Sequence, residues 1–143
     1  MSAITALRAL LVLIALFHVV AGFGLMFSIA FQRFAVDLYG ASLVWDVRTM
    51  YLLRIVGSFA FVLGSLAALA ARDPLRNRIV VLALVEFFLL RDVHRHLYSQ
   101  ELYSGFGVRP LVNVLTTLFF GLQAALLALL LWRASRGTGS GTG

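Results

Sequence analysis

Four long apolar segments, separated by shorter polar stretches, dominate the chain. They lie at residues 7–31, 48–71, 75–98 and 110–133, and each reaches the roughly 20 residues that a helix needs to cross a bilayer. Apolar and polar residues do not alternate as they would along half-buried strands. The pattern predicts an all-α integral membrane protein, built as one four-helix bundle that runs up-down-up-down.

Polar connections set the predicted helix ends. Asp73 is favoured as an N-cap and Pro74 at a first helical position, so the second and third helices are predicted to be antiparallel neighbours joined by a tight turn. Residues 104–107 predict a second turn, after which Pro110 stands where the fourth helix should begin. Residues 137–143 contain only Gly, Thr and Ser and predict a flexible tail.

Composition agrees with a membrane location. Of the 143 residues, 62% are hydrophobic and 13% are charged, whereas about a quarter of a soluble chain is charged. The net charge of +6 owes its positive part to arginine alone, since the sequence contains no lysine. These arginines lie at the ends of apolar segments rather than along one polar face, which favours membrane-edge anchoring and argues against a nucleic-acid partner.

The absence of cysteine excludes disulfides and thiolate metal sites. Arg72, Arg76 and Arg78 flank the tightest turn, and the positive-inside rule then predicts that both termini are cytoplasmic. We expect the membrane to be a bacterial inner membrane.

Small residues mark one face of the second segment. Ala60, Gly64 and Ala68 are spaced four apart, which predicts a stripe where another helix approaches closely. Alternatively, they reflect only the high frequency of small residues in membrane helices.

The third segment carries most of the ionisable residues within an apolar stretch. A charge in hydrocarbon costs about 2.5–3.5 kcal/mol on insertion scales, so these side chains should turn towards polar partners. Glu86 is predicted to face the bundle, within reach of His18, Gln123 or Arg54. A structural hydrogen bond is favoured for Glu86 over a proton-carrying role.

Polar groups from several helices are predicted to meet in the outer half of the membrane. An apolar body capped by a few polar groups is typical of a small-molecule site, and such a cleft would suit a lipid-like molecule with an anionic head. The alternative is that aromatic side chains fill the space while Arg54 pairs with Asp92. The candidate binding or polar-network residues are His18, Arg54, Glu86, Arg91, Asp92, Asn113, Thr117 and Gln123.

Metal and cofactor signals are weak. His18 can be a haem ligand, but a hydrogen-bonded core histidine is favoured. His94 and His96 point apart on a helix, and Arg95 between them would repel a cation. We therefore predict no metal site and no cofactor, with quinone or haem as alternatives.

Three short motifs give a family resemblance. They are Asp37-Leu38-Tyr39-Gly40 after the first segment, Arg54-x-x-Gly57 with Gly64 in the second, and Arg91 near the end of the third. This outline resembles small bacterial four-span membrane proteins of the DoxX-like type. The resemblance implies a four-helix bundle and, in some relatives, association with oxidoreductases.

Together these features predict an accessory or lipophilic-ligand-binding subunit of a larger membrane complex. Its expected partners are the bilayer, other membrane subunits and a lipophilic small molecule. A membrane oxidoreductase, or an enzyme subunit acting on quinone or lipid, is the first alternative, and a small proton-coupled transporter is the second. Catalysis is not favoured, because no nucleophile–base pair or phosphate-binding glycine loop occurs.

Overall fold

The computed structural model describes residues 2–137, and all regular structure in this part of the chain is helical. Three helices are long and apolar enough to cross a membrane: Ala3–Phe27, Val47–Arg72 and Pro110–Arg136. The all-α class is confirmed, and the three apolar helices indicate a membrane protein. The six helices are α1 (Ala3–Phe27), α2 (Ile29–Leu38), α3 (Val47–Arg72), α4 (Arg78–Leu97), α5 (Ser99–Phe106) and α6 (Pro110–Gly137).

Helix α1 lies between α3 and α6, and α4 lies between the same two helices. The α1–α3 interface is the most extensive one, followed by that between α4 and α6. Their outer faces expose large apolar side chains, as expected for surfaces that meet lipid. The fully buried side chains of the core include Leu7, Leu11, Ala67, Val81, Leu84 and Leu127.

Backbone meets backbone where α1 crosses α3. A Cβ atom placed on Gly57 would lie 2.8 Å from the carbonyl oxygen of Gly22, and one on Gly64 would lie 2.7 Å from the amide nitrogen of Val19. The buried residues of α3 are Gly57, Gly64, Ala67 and Ala70, with spacings of seven, three and three, and Ala68 is exposed. The predicted four-residue spacing through Ala68 is therefore wrong, although Gly64 belongs to the interface.

Ser28 divides the first predicted span. Its backbone is extended, its N–H donates to the carbonyl of Gly24, and its hydroxyl accepts a hydrogen bond from the Phe31 amide at 3.1 Å. A serine hydroxyl competes with helical hydrogen bonding in this way. As a result α1 ends at Phe27, and part of the predicted first connection is the helix α2.

Two further predicted helix boundaries differ from those in the structure. Asp73 caps the C-terminus of α3, and its carboxylate accepts from the Arg76 amide at 3.2 Å within a turn, so α4 begins at Arg78 rather than at 75. Residues 104–106 belong to α5, which ends at Gly107 with a φ of 64°. Apart from Gly137, which ends α6, the predicted tail lies outside the described residues.

Candidate functional site

Polar side chains from four segments meet where α4 ends and α6 begins. We call this group the arginine cluster: Tyr39, Arg91, Arg95, Tyr103 and Asn113. Arg91 and Arg95 share a face of α4 because they are four residues apart. Asn113 stands in the first turn of α6, while Tyr39 follows α2 and Tyr103 lies on α5.

Two glycine turns bring the tyrosines to this place. Gly40 has a φ of 64°, and its N–H donates to the Asp37 carbonyl, so the chain turns directly after Tyr39. At the second turn, the Ser42 amide donates to the Phe106 carbonyl at 2.7 Å. This bond ties the loop after α2 to the end of α5. Gly40 and Gly107 both have a φ of 64°, and glycines in this left-handed conformation let the chain reverse at a helix end.

Arg95 is the central buried residue of the arginine cluster, with only 8% of its surface exposed. Its Nε donates to Asn113 Oδ1 and its Nη1 donates to the Tyr39 hydroxyl oxygen, both at 2.9 Å. Asn113 Nδ2 in turn donates to the Tyr103 hydroxyl oxygen at 3.2 Å. The remaining Arg95 nitrogen, Nη2, is buried and has no hydrogen-bond partner among the described residues.

Arg91 reaches the same phenol. It donates a hydrogen bond to the Tyr39 hydroxyl oxygen, and its guanidinium lies 3.6 Å from the centroid of the Phe120 ring. The ring face stabilises a cation electrostatically. Two guanidinium groups therefore converge on one phenol oxygen.

Asp92 does not neutralise the two arginines directly. It forms no hydrogen bond with either of them among the described residues, and its Oδ1 is buried without a partner. Its Oδ2 faces α6, since a Cβ placed on Gly121 would lie 3.1 Å from it. With two arginines and one aspartate, the region keeps a formal charge of +1.

An open groove runs along the outer side of α4 beside the arginine cluster. Its volume is ≈ 330 Å³, and it is lined by Phe87, Leu90, Arg91, His94 and Arg95. Leu90 and His94 are exposed, whereas Arg95 is buried at the back of the groove. An apolar surface thus leads directly to the two guanidinium groups.

Only part of the predicted site comes together. Arg91 and Asn113 join through Arg95 and Tyr39, with Asp92 behind them, and Thr117 is half-buried one turn further along α6. Arg54 and Glu86 are exposed. The prediction that Arg54 and Glu86 line one cleft with Arg91, Asn113 and Thr117 is therefore wrong. The prediction that Glu86 faces the bundle is wrong as well.

The deeper polar residues are also separate from Glu86. His18 is buried, and its Nδ1 is hydrogen-bonded to the Ile14 carbonyl oxygen at 2.8 Å. Its ring packs against Phe17 and Phe88, with centroids 5.1 and 5.9 Å away. The Gln123 side-chain oxygen is buried without a partner among the described residues. The haem and quinone alternatives stay predictions.

The sequence analysis missed three members of the arginine cluster. The sequence pattern presents Arg95 as a residue between two histidines that would repel a cation, and Tyr39 as part of a family motif. It gives no signal for Tyr103. The spacing of Arg91 and Arg95 was a usable signal, because two arginines four apart on an apolar helix need a shared partner.

Comparison of the chain with protein-family models, with curated proteins and with solved structures gives no match. The DoxX-like resemblance therefore stays a prediction that rests on the sequence motifs.

Proposed function

We propose that the protein is a small ligand-binding membrane protein whose arginine cluster holds the head of an anionic amphiphile. In this proposal α4 is a fourth span, completing a four-helix bundle with α1, α3 and α6. Its 20 residues correspond to about 30 Å of helix, the thickness of the hydrocarbon layer. The arginine cluster would then lie at one edge of the membrane, where headgroups and acyl chains meet.

The observation that carries this proposal is the pair Arg91 and Arg95, which donate to one phenol oxygen and form no hydrogen bond with a carboxylate among the described residues. A guanidinium group binds carboxylates and phosphates through paired hydrogen bonds. The buried, unpaired Nη2 of Arg95 is an unsatisfied cationic donor, and such donors are rare in folded proteins. An anionic oxygen is the chemical partner that suits both groups.

The groove beside the arginine cluster suits the apolar part of such a ligand. Phe87 and Leu90 line its apolar part, while the guanidinium groups stand at its inner end. A ligand with an acyl or prenyl chain would place that chain along α4 and its anionic head at Arg91 and Arg95. Such binding is compatible with an accessory subunit in a bacterial inner membrane, which remains part of the proposal.

Retention of lipid by the purified protein tests this function. Native mass spectrometry would compare phosphatidylglycerol with phosphatidylcholine, for the wild type and for the double variant Arg91→Gln/Arg95→Gln. Hydrogen bonds to charged groups contribute about 1.5–3 kcal/mol, so we expect the double variant to bind phosphatidylglycerol at least about tenfold more weakly.

The matched control is Arg54→Gln/Arg48→Gln, which removes the same charge from two exposed arginines outside the arginine cluster. It should retain phosphatidylglycerol as the wild type does. Equal losses in both double variants would indicate general attraction of anionic lipid and would contradict the site. Selective retention of a quinone instead would favour the redox alternative.

A further inference from the structure

The phenol oxygen of Tyr39 occupies donors that an anionic ligand head needs. It accepts hydrogen bonds from both Arg91 and Arg95, and a hydroxyl oxygen has two acceptor lone pairs. Both lone pairs are therefore used by guanidinium groups. A carboxylate or phosphate oxygen that bridged the two arginines would form the same two hydrogen bonds, so it would take the place of this phenol.

The donors of Arg95 show why the phenol and the ligand head compete. A guanidinium group offers two paired edges to a carboxylate or phosphate, one through Nε and Nη2 and the other through Nη1 and Nη2. The Nε of Arg95 donates to Asn113 Oδ1 and its Nη1 donates to Tyr39, whereas Nη2 has no partner among the described residues. Each edge is thus half-occupied, and a head bound through paired hydrogen bonds must displace Asn113 or Tyr39.

Asn113 is the more firmly held of these two acceptors. It is buried in the first turn of the 28-residue helix α6, and its Nδ2 donates to Tyr103. Tyr39 instead follows α2, a helix of 10 residues, and residues 41–45 after it form no helix. A carboxylate or phosphate oxygen also binds a guanidinium group more strongly than a hydroxyl oxygen does. Tyr39 is therefore the acceptor that a ligand head displaces.

Helix α2 is joined to α1 at a break where it can turn. The backbone of Ser28 is extended, and the Leu25 carbonyl, which a continuous helix would pair with the amide of Ile29, accepts from Gln32 Nε2 at 2.6 Å. Gln32 Oε1 is buried without a partner among the described residues. Because a buried unsatisfied acceptor is costly, this arrangement is only weakly preferred over one in which α2 continues α1.

We infer that Tyr39 competes with the ligand head for the same guanidinium donors and so regulates the proposed site. In this inference, which rests on the proposed function, a bound head displaces the phenol, and α2 turns at Ser28 and carries Tyr39 away from Arg91 and Arg95. Because the head must break the hydrogen bonds of Tyr39, the protein binds it more weakly than the same cluster would without that phenol.

The sign of the Tyr39→Phe effect tests the competition. In a titration with phosphatidylglycerol followed by native mass spectrometry, Tyr39→Phe should bind the lipid about two- to tenfold more tightly than the wild type, because the lost hydrogen bonds no longer oppose the head. Tyr51→Phe, at an exposed tyrosine on α3, is the matched control and should bind as the wild type does. Weaker or unchanged binding in Tyr39→Phe would overturn the inference, since the phenol would then assist the ligand or play no part in its binding.

Distances between spin labels test the movement of α2. The sequence contains no cysteine, so labels can be attached through Leu38→Cys and Leu111→Cys, two exposed positions on α2 and α6. Adding phosphatidylglycerol to phosphatidylcholine nanodiscs should shift the distance distribution of this pair. The control pair Phe59→Cys and Leu122→Cys, exposed on α3 and α6, should keep its distribution.

The two tests separate failure of this inference from failure of the proposed function. An unchanged distance between Leu38 and Leu111 while phosphatidylglycerol is bound would overturn the movement of α2 and leave the binding site intact. Absence of any preference for phosphatidylglycerol over phosphatidylcholine, in the wild type and in Tyr39→Phe alike, would refute the proposed function and the competition with it.

Discussion

Helices α1 and α3 pack backbone against backbone, whereas α4 meets the start of α6 through long polar side chains. At the first interface, Gly22 and Gly57 leave no room for a Cβ atom on either helix. At the second, Arg95 bridges Tyr39 and Asn113 across distances that small residues cannot span. The same chain therefore uses two different means of joining helices.

The two interfaces are expected to contribute differently to the stability of the fold. Close packing of glycine-bearing helices contributes van der Waals contact that lipid cannot replace. A buried cationic network contributes less, because the cost of desolvating its charges offsets much of the attraction. We infer that the α1–α3 interface contributes more to the stability of the fold than the arginine cluster does.

The largest expected effect follows from filling the glycine contact. Gly57→Leu would place side-chain atoms where the Gly22 carbonyl and the Met26 amide now lie, at 2.8 and 2.9 Å from a Cβ atom. Overpacking of this kind costs about 3 kcal/mol, the upper end of its usual range, or more. The free energy of unfolding in detergent, measured by steric trapping, checks it.

Gly105→Leu is the matched control, because nothing lies within 4 Å of a Cβ atom at Gly105. Its free energy of unfolding should stay close to that of the wild type. If Gly57→Leu were equally harmless, α1 and α3 would not depend on their close approach, and the contrast between the two interfaces would collapse.

A smaller loss is expected when the arginine cluster loses its bridging amide. Asn113→Ala removes the acceptor of Arg95 Nε and leaves a buried cationic donor without a partner. That costs about 2 kcal/mol of stability. Thermal unfolding checks it, with Gln100→Ala as an exposed amide control.

Asn113→Asp sharpens the same test. It keeps an acceptor for Arg95 but adds a negative charge beside both guanidinium groups. We expect Asn113→Asp to unfold at nearly the wild-type temperature while it binds phosphatidylglycerol more weakly. Unchanged binding in Asn113→Asp would contradict the view that the cluster is an anion site.

The length and apolar character of the segments predict the helices, because a long apolar segment must satisfy its own backbone hydrogen bonds. Residue type alone does not reveal where such a helix breaks. Ser28 looks like an ordinary polar residue in an apolar run, yet its hydroxyl caps α2. The break depends on a choice between two nearly equivalent sets of hydrogen bonds, and the sequence pattern does not decide it.

For the candidate site, the sequence predicts the depth of the side chains better than their direction. Arg91 and Asn113 are found from their depth in neighbouring helices, because antiparallel topology brings equal depths together. The direction of a side chain around the helix is harder to predict. On the principle that charges avoid lipid, Glu86 is predicted to face inward, but the residue is exposed on α4.

A modest effect is expected at the shared phenol. Tyr39→Phe removes the oxygen that accepts from Arg91 and Arg95 but keeps the ring, whose centroid lies 5.0 Å from the Arg95 guanidinium. A typical net hydrogen bond contributes about 0.5–1.5 kcal/mol, and we expect a loss in that range. Tyr51→Phe, at a tyrosine that is 62% exposed, should unfold like the wild type. A loss above 3 kcal/mol would show that the cluster stabilises the fold as strongly as the glycine contact, roughly the value expected for overpacking.

The smallest effect concerns a charge that lies in water rather than inside either interface. Asp46 caps α3, and its carboxylate accepts a hydrogen bond from the Thr49 amide at 2.7 Å. Hydrogen bonds from the backbone and side chain of Thr49 hold the pKa of Asp46 below its ordinary value of 3.8. Because the pKa is lower in the folded state, the stabilisation is present above the unfolded value and disappears as the pH falls through the folded value. Asp46→Asn keeps the cap but cannot titrate, so the wild type should lose its small advantage in unfolding temperature as the medium becomes acidic below pH 3.8. A difference that stays constant through that range would mean that α3 is held by its glycine contacts alone and gains nothing from the charge of its cap.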